Sequence, residues 1–254
     1  MIRNISRRRL IGSIGAGAGG LLLSGCDRVG QSPAFKSLLS SAEGLNMNVQ
    51  RLLTDRTALA REYAPEEKSP FFRTNGNTMP SSQEYQAHLR SGFADWRLVV
   101  DGMVARPLAI SLDQIRSMPA RSQITRHDCV EGWSAIGGWT GVPLKLLLDA
   151  AGLRPEARYI VFHCADEFGG VPYYESIDLV DAYHAQTILA WGMNDRILPV
   201  GHGAPLRLRL ERQLGYKNAK FIMRVEAVDG LAHLGLGKGG YWEDAGNYQW
   251  YAGI

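Results

Sequence analysis

One cysteine, Cys129, constrains this chain more than any other residue because of what surrounds it. It lies between the charged run 126–128 and Glu131, and a stretch rich in glycine and tryptophan follows as far as Pro143. A thiol beside positive charge is a candidate nucleophile or metal ligand, since cationic neighbours lower its pKa. A lone cysteine at the end of a strand is also often a buried, inert residue. The segment 124–143 by itself leaves both interpretations open.

The order of residues around Cys129 resembles the molybdenum-ligand loop of the sulfite oxidase family. Arg-His-Asp-Cys-Val-Glu-Gly-Trp at 126–133 is followed by Trp-Thr-Gly-Val-Pro at 139–143. The likeness is greatest to the haem-free bacterial branch, which includes periplasmic protein-methionine-sulfoxide reductases. It implies that Cys129 gives a thiolate to a molybdenum ion that is also held by one molybdopterin, and a soft thiolate suits such a metal. It also implies an α+β fold of the sulfite oxidase type, with mixed sheets and surrounding helices, over residues 70–254.

A second motif supplies fixed positive charge. Gly-His-Gly-Ala-Pro-Leu-Arg-Leu at 201–208 precedes Tyr-Lys-Asn-Ala-Lys at 216–220. Arginine and lysine pair with phosphate, and glycine permits a close approach of the backbone. In the family the matching segments hold the pterin and its phosphate, and a histidine at 202 is more like the sulfite oxidase branch. The alternative is that His202 is an exposed turn residue and Arg207 an exposed residue of a strand. The resemblance implies five cofactor contacts: His202, Arg207, Asn218, Ala219 and Lys220.

Two further segments resemble cofactor contacts of the family. Phe-Phe-Arg-Thr-Asn-Gly-Asn at 71–77 resembles, in altered order, a segment near the pterin. This implicates Arg73, Asn75 and Asn77 without deciding between them, and a plain Asn-Gly turn is the alternative. Cys164 follows a predicted strand at 159–162 and matches a small polar residue that contacts the pterin. A disulfide with Cys129 is the competing interpretation.

The aromatic tail at 239–251 offers a candidate catalytic hydroxyl. Such a density of rings usually packs over the edge of a core. In the family, a tyrosine that follows a tryptophan here lies at the mouth of the metal site, where its hydroxyl can donate to the transferred oxygen. Tyr248 is the first choice for this role; Tyr241 and a purely structural role are the alternatives.

The loop after Cys129 bears on the substrate. It lacks the Ala-Gly-Asn-Arg-Arg run that resembles the anion-attracting arginines of sulfite oxidases. Arg126 is then the nearest candidate catalytic cation, and Trp133 and Trp139 suit an uncharged, partly apolar substrate. A sulfite ion would need more compensating positive charge. The chain is therefore predicted to reduce a small S-oxide or N-oxide by two-electron oxygen-atom transfer. Sulfite oxidation is the alternative reaction, and a non-catalytic ligand-binding lipoprotein is the alternative of another class.

The cysteine pattern predicts that electrons come from outside the chain. There is no Cys-x-x-Cys-His haem attachment site and no iron-sulfur spacing among the three cysteines. We therefore expect no haem and no iron-sulfur cluster, and an external partner such as a membrane haem protein or a periplasmic cytochrome.

The first 25 residues are predicted to be a signal peptide. Ser-Arg-Arg-Arg-Leu-Ile at 6–11 is a twin-arginine pattern, and a Gly/Ala-rich apolar run follows it. The run ends in Leu-Ser-Gly before Cys26, which resembles a lipobox and implies lipidation at that cysteine. We expect a twin-arginine-exported periplasmic protein, anchored to the inner membrane; ordinary cleavage with a soluble product is the alternative.

Composition sets the remaining limits. Hydrophobic residues make up 45% of the 254 residues and charged residues 21%, which is ordinary for a soluble globular protein. The net charge of +3 arises from four arginines within residues 1–25, so nucleic acid is not an expected partner. Residues 26–69 are predicted to be a linker and a helical segment, because apolar residues recur at helical spacing from Leu45 to Tyr63.

Overall fold

The computed structural model describes residues 32–254, so the predicted signal peptide and Cys26 lie outside the described residues. The described residues divide into two units at Leu53, and the second unit is Thr54–Ile254. The described part of the first unit is helix α1, Pro33–Leu53. None of the described helices is long and apolar enough to cross a membrane.

Ten strands are described, and they form two sheets in the second unit. They are β1 (Arg97–Gly102), β2 (Leu108–Ser111), β3 (Arg121–Asp128), β4 (Ser134–Pro143), β5 (Tyr159–Phe168), β6 (Val171–Asp178), β7 (Ile188–Met193), β8 (Arg196–Ile197), β9 (Arg207–Arg209) and β10 (Ile222–Val228). One sheet has the order β2-β1-β10-β5-β6, in which only β1 and β10 are parallel. The other is antiparallel, with the order β3-β4-β7-β8 and β9 paired to β7.

Short helices of the second unit pack against its two sheets. They are α2 (Gln83–Arg90), α3 (Leu112–Ser117), α4 (Leu144–Ala151), α5 (Leu179–Ala182) and α6 (Tyr241–Gly246). Helix α4 shows why: Leu144, Leu147, Leu148 and Ala151 recur at helical spacing and are all buried. They join a core to which strands of both sheets contribute. This architecture confirms the predicted α+β class.

Local hydrogen bonds define two helix boundaries. Ser111 caps α3, since its side chain accepts a hydrogen bond from the backbone N–H of Gln114. The helix predicted to reach Tyr63 ends at Leu53 instead. Asp55 explains the difference, because its carboxylate accepts from the backbone and the hydroxyl of Thr57 and stabilises a turn.

The β3–β4 hairpin presents Cys129. Side chains alternate between the two faces of a strand, and in β3 the buried face consists of polar residues, Gln123, Thr125 and His127. Cys129 directly follows the strand, and its backbone N–H donates to the carbonyl of Trp133 at 2.9 Å. A buried polar strand face next to the thiol is unusual, because buried polar groups need partners.

Candidate active site

A pocket in the second unit brings together residues that are far apart in the sequence. Its walls come from the segment 75–77, the hairpin residues 129–131, the β5–β6 hairpin, the segment 215–220 and the aromatic tail. Its empty volume is about 680 Å³ when the open solvent at its mouth is included. Six predicted site residues line it: Asn75, Asn77, Cys129, Asn218, Lys220 and Tyr248.

The thiol of Cys129 binds its proton more tightly than the sequence predicted, because its pKa is raised. Burial raises its pKa, and the charge of Glu131 adds to the rise against opposing backbone hydrogen bonds. The expectation that positive neighbours lower this pKa is wrong, because Arg126 points away on the other face of β3 and pairs with Asp128 at 2.9 Å. The amide of Asn75 donates to the Cys129 sulfur at 3.9 Å. A metal that binds this sulfur must therefore displace a proton.

Arg207 is a buried cation that forms no ion pair with a carboxylate of residues 32–254. Its guanidinium donates to the carbonyls of His202 and Asn218, and its Nε has no hydrogen-bond partner among the described residues. Burial lowers the pKa of Arg207 to about 9, and the nearby Arg209 contributes. A buried, unpaired cation is costly. The arrangement therefore suits an anionic ligand that accepts from Arg207.

Lys220 lines the pocket and is close enough to Arg207 for the two charges to interact. Its ammonium group donates to the carbonyls of Asn75, Asn77 and Gly201, so it holds the loop 75–77 in place. Burial lowers the pKa of Lys220 to about 7, and the charge of Arg207 adds to this. Gly203 permits the close packing, because a Cβ there would lie 2.9 Å from the Cβ of Lys220.

A buried network that the sequence motifs did not predict ends at His127. Arg209 forms a two-point ion pair with Glu211 and donates from Nη1 to Nδ1 of His127 at 2.9 Å. Because arginine cannot accept, the neutral imidazole carries its proton on Nε2, and that atom has no partner within residues 32–254. Burial and the charges of Arg209 and Arg207 lower the pKa of His127 well below its ordinary value. The polar inward face of β3 was the available signal.

Aromatic side chains form part of the pocket wall. Tyr248 stacks on Trp242 with a centroid distance of 5.7 Å and meets Tyr216 edge-on at 4.9 Å. Tyr241, the alternative catalytic tyrosine, does not line the pocket. Trp139 is also absent from it: the ring is 1% exposed and lies beneath Arg207 and Arg209. The expectation that Trp139 contacts substrate is therefore wrong.

The other predicted site residues lie away from the pocket surface. Arg73 is exposed, Cys164 donates weakly towards the carbonyl of Phe162, and Ala219 is fully buried. His202 contacts Phe72 edge-on, and burial, with Arg207 and Lys220, lowers its pKa to about 4. Trp133 donates to Glu131 and does not line the pocket. Cys129 and Cys164 are free cysteines, so the disulfide alternative does not apply.

The residues present fit an anionic cofactor that carries a thiophilic metal. The unpaired Nε atom of Arg207 and the unpaired Nε2 atom of His127 are buried donors that require acceptors. Among the described residues, no ion pair involves Arg207 or Lys220, which leaves their charge available for a phosphate. Cys129 supplies one soft ligand at the pocket.

Comparison with known proteins identifies the family. Residues 85–232, more than half of the chain, match the model described as the oxidoreductase molybdopterin binding domain. The chain belongs to this family. A putative protein-methionine-sulfoxide reductase subunit of Azospira oryzae is 38% identical over 240 residues, which cover 92% of this chain and 83% of that protein.

Two more matches cover less of their proteins. The catalytic subunit of a protein-methionine-sulfoxide reductase of Ralstonia nicotianae is 36% identical over 145 residues, which cover 53% of this chain and 44% of that protein. The sulfane dehydrogenase SoxCD of Paracoccus pantotrophus has a TM-score of 0.49 and 23% identity, and the match covers 54% of this chain and 39% of that one.

The family model and the protein-methionine-sulfoxide reductase relatives confirm the resemblance to the sulfite oxidase family and the predicted enzyme class. The protein is an oxidoreductase that binds molybdopterin. The matched segment contains Cys129, Cys164 and the cationic segment 201–220, whereas Asn75, Asn77 and Tyr248 lie outside it. The absence of haem and iron-sulfur groups stays a prediction.

Proposed function

We propose that this oxidoreductase reduces a small, neutral S-oxide, or alternatively an N-oxide, with electrons delivered by an external carrier. The observation that carries the proposal is the charge of the pocket. Among the described residues that line it, the only lysine or arginine is Lys220, whose charge the anionic part of the cofactor would balance, while Asp166 and Glu131 are acidic. A doubly negative sulfite ion would be repelled by such a lining, whereas an uncharged oxide between aromatic rings would not.

The residues have separate roles in this proposal. Cys129 would hold the molybdenum, Arg207 and Lys220 would stabilise the anionic part of molybdopterin, and Asn75 would orient the sulfur through its amide. The cofactor supplies two-electron oxygen-atom transfer when it is bound. The rings of Trp242 and Tyr248 would exclude water from one side of the substrate.

Steady-state assays test the substrate. With reduced viologen as donor, the purified holoenzyme is expected to reduce several dialkyl and aryl sulfoxides, with kcat/KM higher for neutral oxides than for oxides that carry a carboxylate. The physical reason, above about pH 6 where Asp166 has lost its proton, is repulsion from Asp166 and Glu131. Initial rates across a matched panel of neutral and anionic sulfoxides provide the measurement.

Sulfite, assayed with ferricyanide or cytochrome c as acceptor, is the competing substrate. The proposal would be refuted by efficient sulfite oxidation together with no detectable reduction of any oxide. In that case the histidine at 202, which is more like the sulfite oxidase branch, would be the better guide to the reaction.

We also propose that the protein is exported by the twin-arginine route and anchored at the inner membrane, close to a membrane haem protein or a periplasmic cytochrome that reduces it. The support is the sequence of residues 1–26. Cys26→Ser is expected to release the protein into the soluble periplasmic fraction with its molybdenum content unchanged. Fractionation and metal analysis measure this, and a wild-type N-terminus without lipid in mass spectrometry would contradict it.

A further inference from the structure

Asp166 lies in the pocket wall with half of its carboxyl group unsatisfied. The residue is 4% exposed, and its Oδ2 accepts from the amide of Asn77 at 3.2 Å. Its Oδ1 is buried and has no hydrogen-bond partner in the part of the chain that the structure describes. A buried carboxyl oxygen without a partner is costly unless the group carries a proton or meets a ligand. Asp166 lines the pocket, and a proton on Oδ1 would not be held by any hydrogen bond among the described residues.

The groups around Asp166 come from four elements. Lys220 lies before β10, Cys164 is on the same strand, Tyr173 is on β6 and Tyr85 is on α2. Of these only Lys220 is a cation, and its hydrogens are directed to backbone carbonyls. Burial raises the pKa of Asp166 to about 6 despite the Asn77 hydrogen bond and the Lys220 charge. The carboxyl group can thus exchange a proton near neutral pH.

Other acidic groups of the pocket are less suited to donate a proton. Glu131 is exposed and accepts from the indole of Trp133 at 3.0 Å. The hydroxyl of Tyr173 donates to the carbonyl of Tyr216 at 2.8 Å, and burial raises its pKa well above the ordinary value. Asp166 differs from both because it is buried and has an oxygen that is not engaged.

We propose that Asp166 is a catalytic acid that delivers a proton to the oxygen removed from the substrate. This inference rests on the proposed function. Reduction of a sulfoxide breaks the S–O bond, consumes two electrons and two protons, and yields a thioether and water. The electrons come from an external one-electron carrier in two steps. Asp166 gives one proton and is reprotonated from solvent at the pocket mouth, and solvent supplies the other.

Asp166→Asn tests this in the cofactor-loaded, full-length protein. The amide retains the shape of the side chain but has no acidic proton, so kcat for sulfoxide reduction is expected to fall on the order of a hundredfold. Molybdenum and pterin contents should stay at the wild-type level. The wild-type kcat is expected to decline as the pH rises through about 6, where Asp166 loses its proton, and the variant should lack this decline. Asp195→Asn is the matched control, because the Asp195 side chain is 86% exposed.

A second measurement does not depend on turnover. Since the folded-state pKa of Asp166 is raised from 3.8 to about 6, the folded protein binds this proton more tightly than the unfolded chain. Stability from this group is present at low pH and is lost as the pH rises through that interval. The urea midpoint of wild type should therefore fall between pH 4 and pH 7 more steeply than that of Asp166→Asn, as measured by tryptophan fluorescence.

Three outcomes would overturn the role of Asp166. One is wild-type kcat in Asp166→Asn, another is the same pH dependence of the urea midpoint in both proteins, and the third is loss of pterin from the variant, which would make Asp166 a cofactor-holding residue. A wild-type holoenzyme that reduces no sulfoxide at any pH refutes the proposed function as well. An active wild type with an unaffected variant refutes only the proton delivery.

Discussion

Cys129→Ser is expected to lower kcat by more than about a hundredfold. Loss of a residue that only supports a metal ligand lowers activity by about 10- to 100-fold, and loss of the ligand itself should lower it further. Serine keeps the size of the side chain but replaces a soft sulfur with a hard, protonated oxygen, which is a poor ligand for a thiophilic metal. The electron paramagnetic resonance spectrum of the Mo(V) state should lose its thiolate signature. Metal and pterin analysis of the same sample measures how much cofactor is retained.

Cys164→Ser is the matched comparison, since it makes the same exchange at the other cysteine of the described residues. The sulfur of Cys164 is directed towards the carbonyl of Phe162 and does not line the pocket. The thiolate signature is therefore expected to persist in this variant. An unchanged Mo(V) spectrum and wild-type turnover in Cys129→Ser would show that Cys129 is not the metal ligand.

The parts of the site that could be predicted are formed by residues that are close together in the sequence. The hairpin with Cys129 and the segment 216–220 are short motifs, and the pocket contains Cys129, Asn218 and Lys220. Asn75 and Asn77 also line it, although the altered order of their segment did not decide between them and Arg73. The exposure of Arg73 could not be read from the sequence, because it depends on how the loop is held by Lys220, 145 residues from Asn75.

The other errors arise from strand geometry and from distant pairing. Adjacent side chains of a strand face opposite ways, so His127 points inward and Arg126 outward, although both precede Cys129. The pairing of Arg209 with His127 joins residues 82 positions apart. Trp139 is held beneath two guanidinium groups that no local pattern places there. Burial then reverses the expected direction of the Cys129 pKa shift.

A buried charge cluster supports the aromatic side of the pocket. Lys217 donates to the carboxylates of Glu175 and Glu243, and all three side chains are essentially inaccessible. Glu175 lies on β6, Lys217 on the 3-10 helix Gly215–Lys217 and Glu243 on α6. These segments also carry the pocket residues Tyr173, Tyr216 and Trp242. Although burial acts to lower it, the two glutamates raise the pKa of Lys217. The cluster thus connects three walls of the pocket.

Lys217→Met is expected to lower the free energy of unfolding by about 3–5 kcal/mol, because removing one partner leaves buried carboxyl groups uncompensated. Burial and the charge of Glu243 already raise the pKa of Glu175 well above its ordinary value. Without Lys217 the two carboxyl groups must stay protonated or repel each other. Since a raised pKa makes the folded state lose stability as the pH rises, the loss should be larger at pH 8 than at pH 5. Urea denaturation at the two pH values measures it.

Lys68→Met is the control, because it removes a lysine whose partner is hydrated. Lys68 pairs with Asp195 at 2.7 Å, and the Asp195 side chain is 86% exposed, so a loss of at most about 1 kcal/mol is expected. Equal losses in the two lysine variants would contradict the importance of the buried cluster.

The triple variant Lys217→Met/Glu175→Gln/Glu243→Gln separates charge from packing. It removes every ionisable group of the cluster, so its stability should vary less with pH than that of Lys217→Met. A triple variant with the same dependence on pH as Lys217→Met would place the titrating groups elsewhere in the protein.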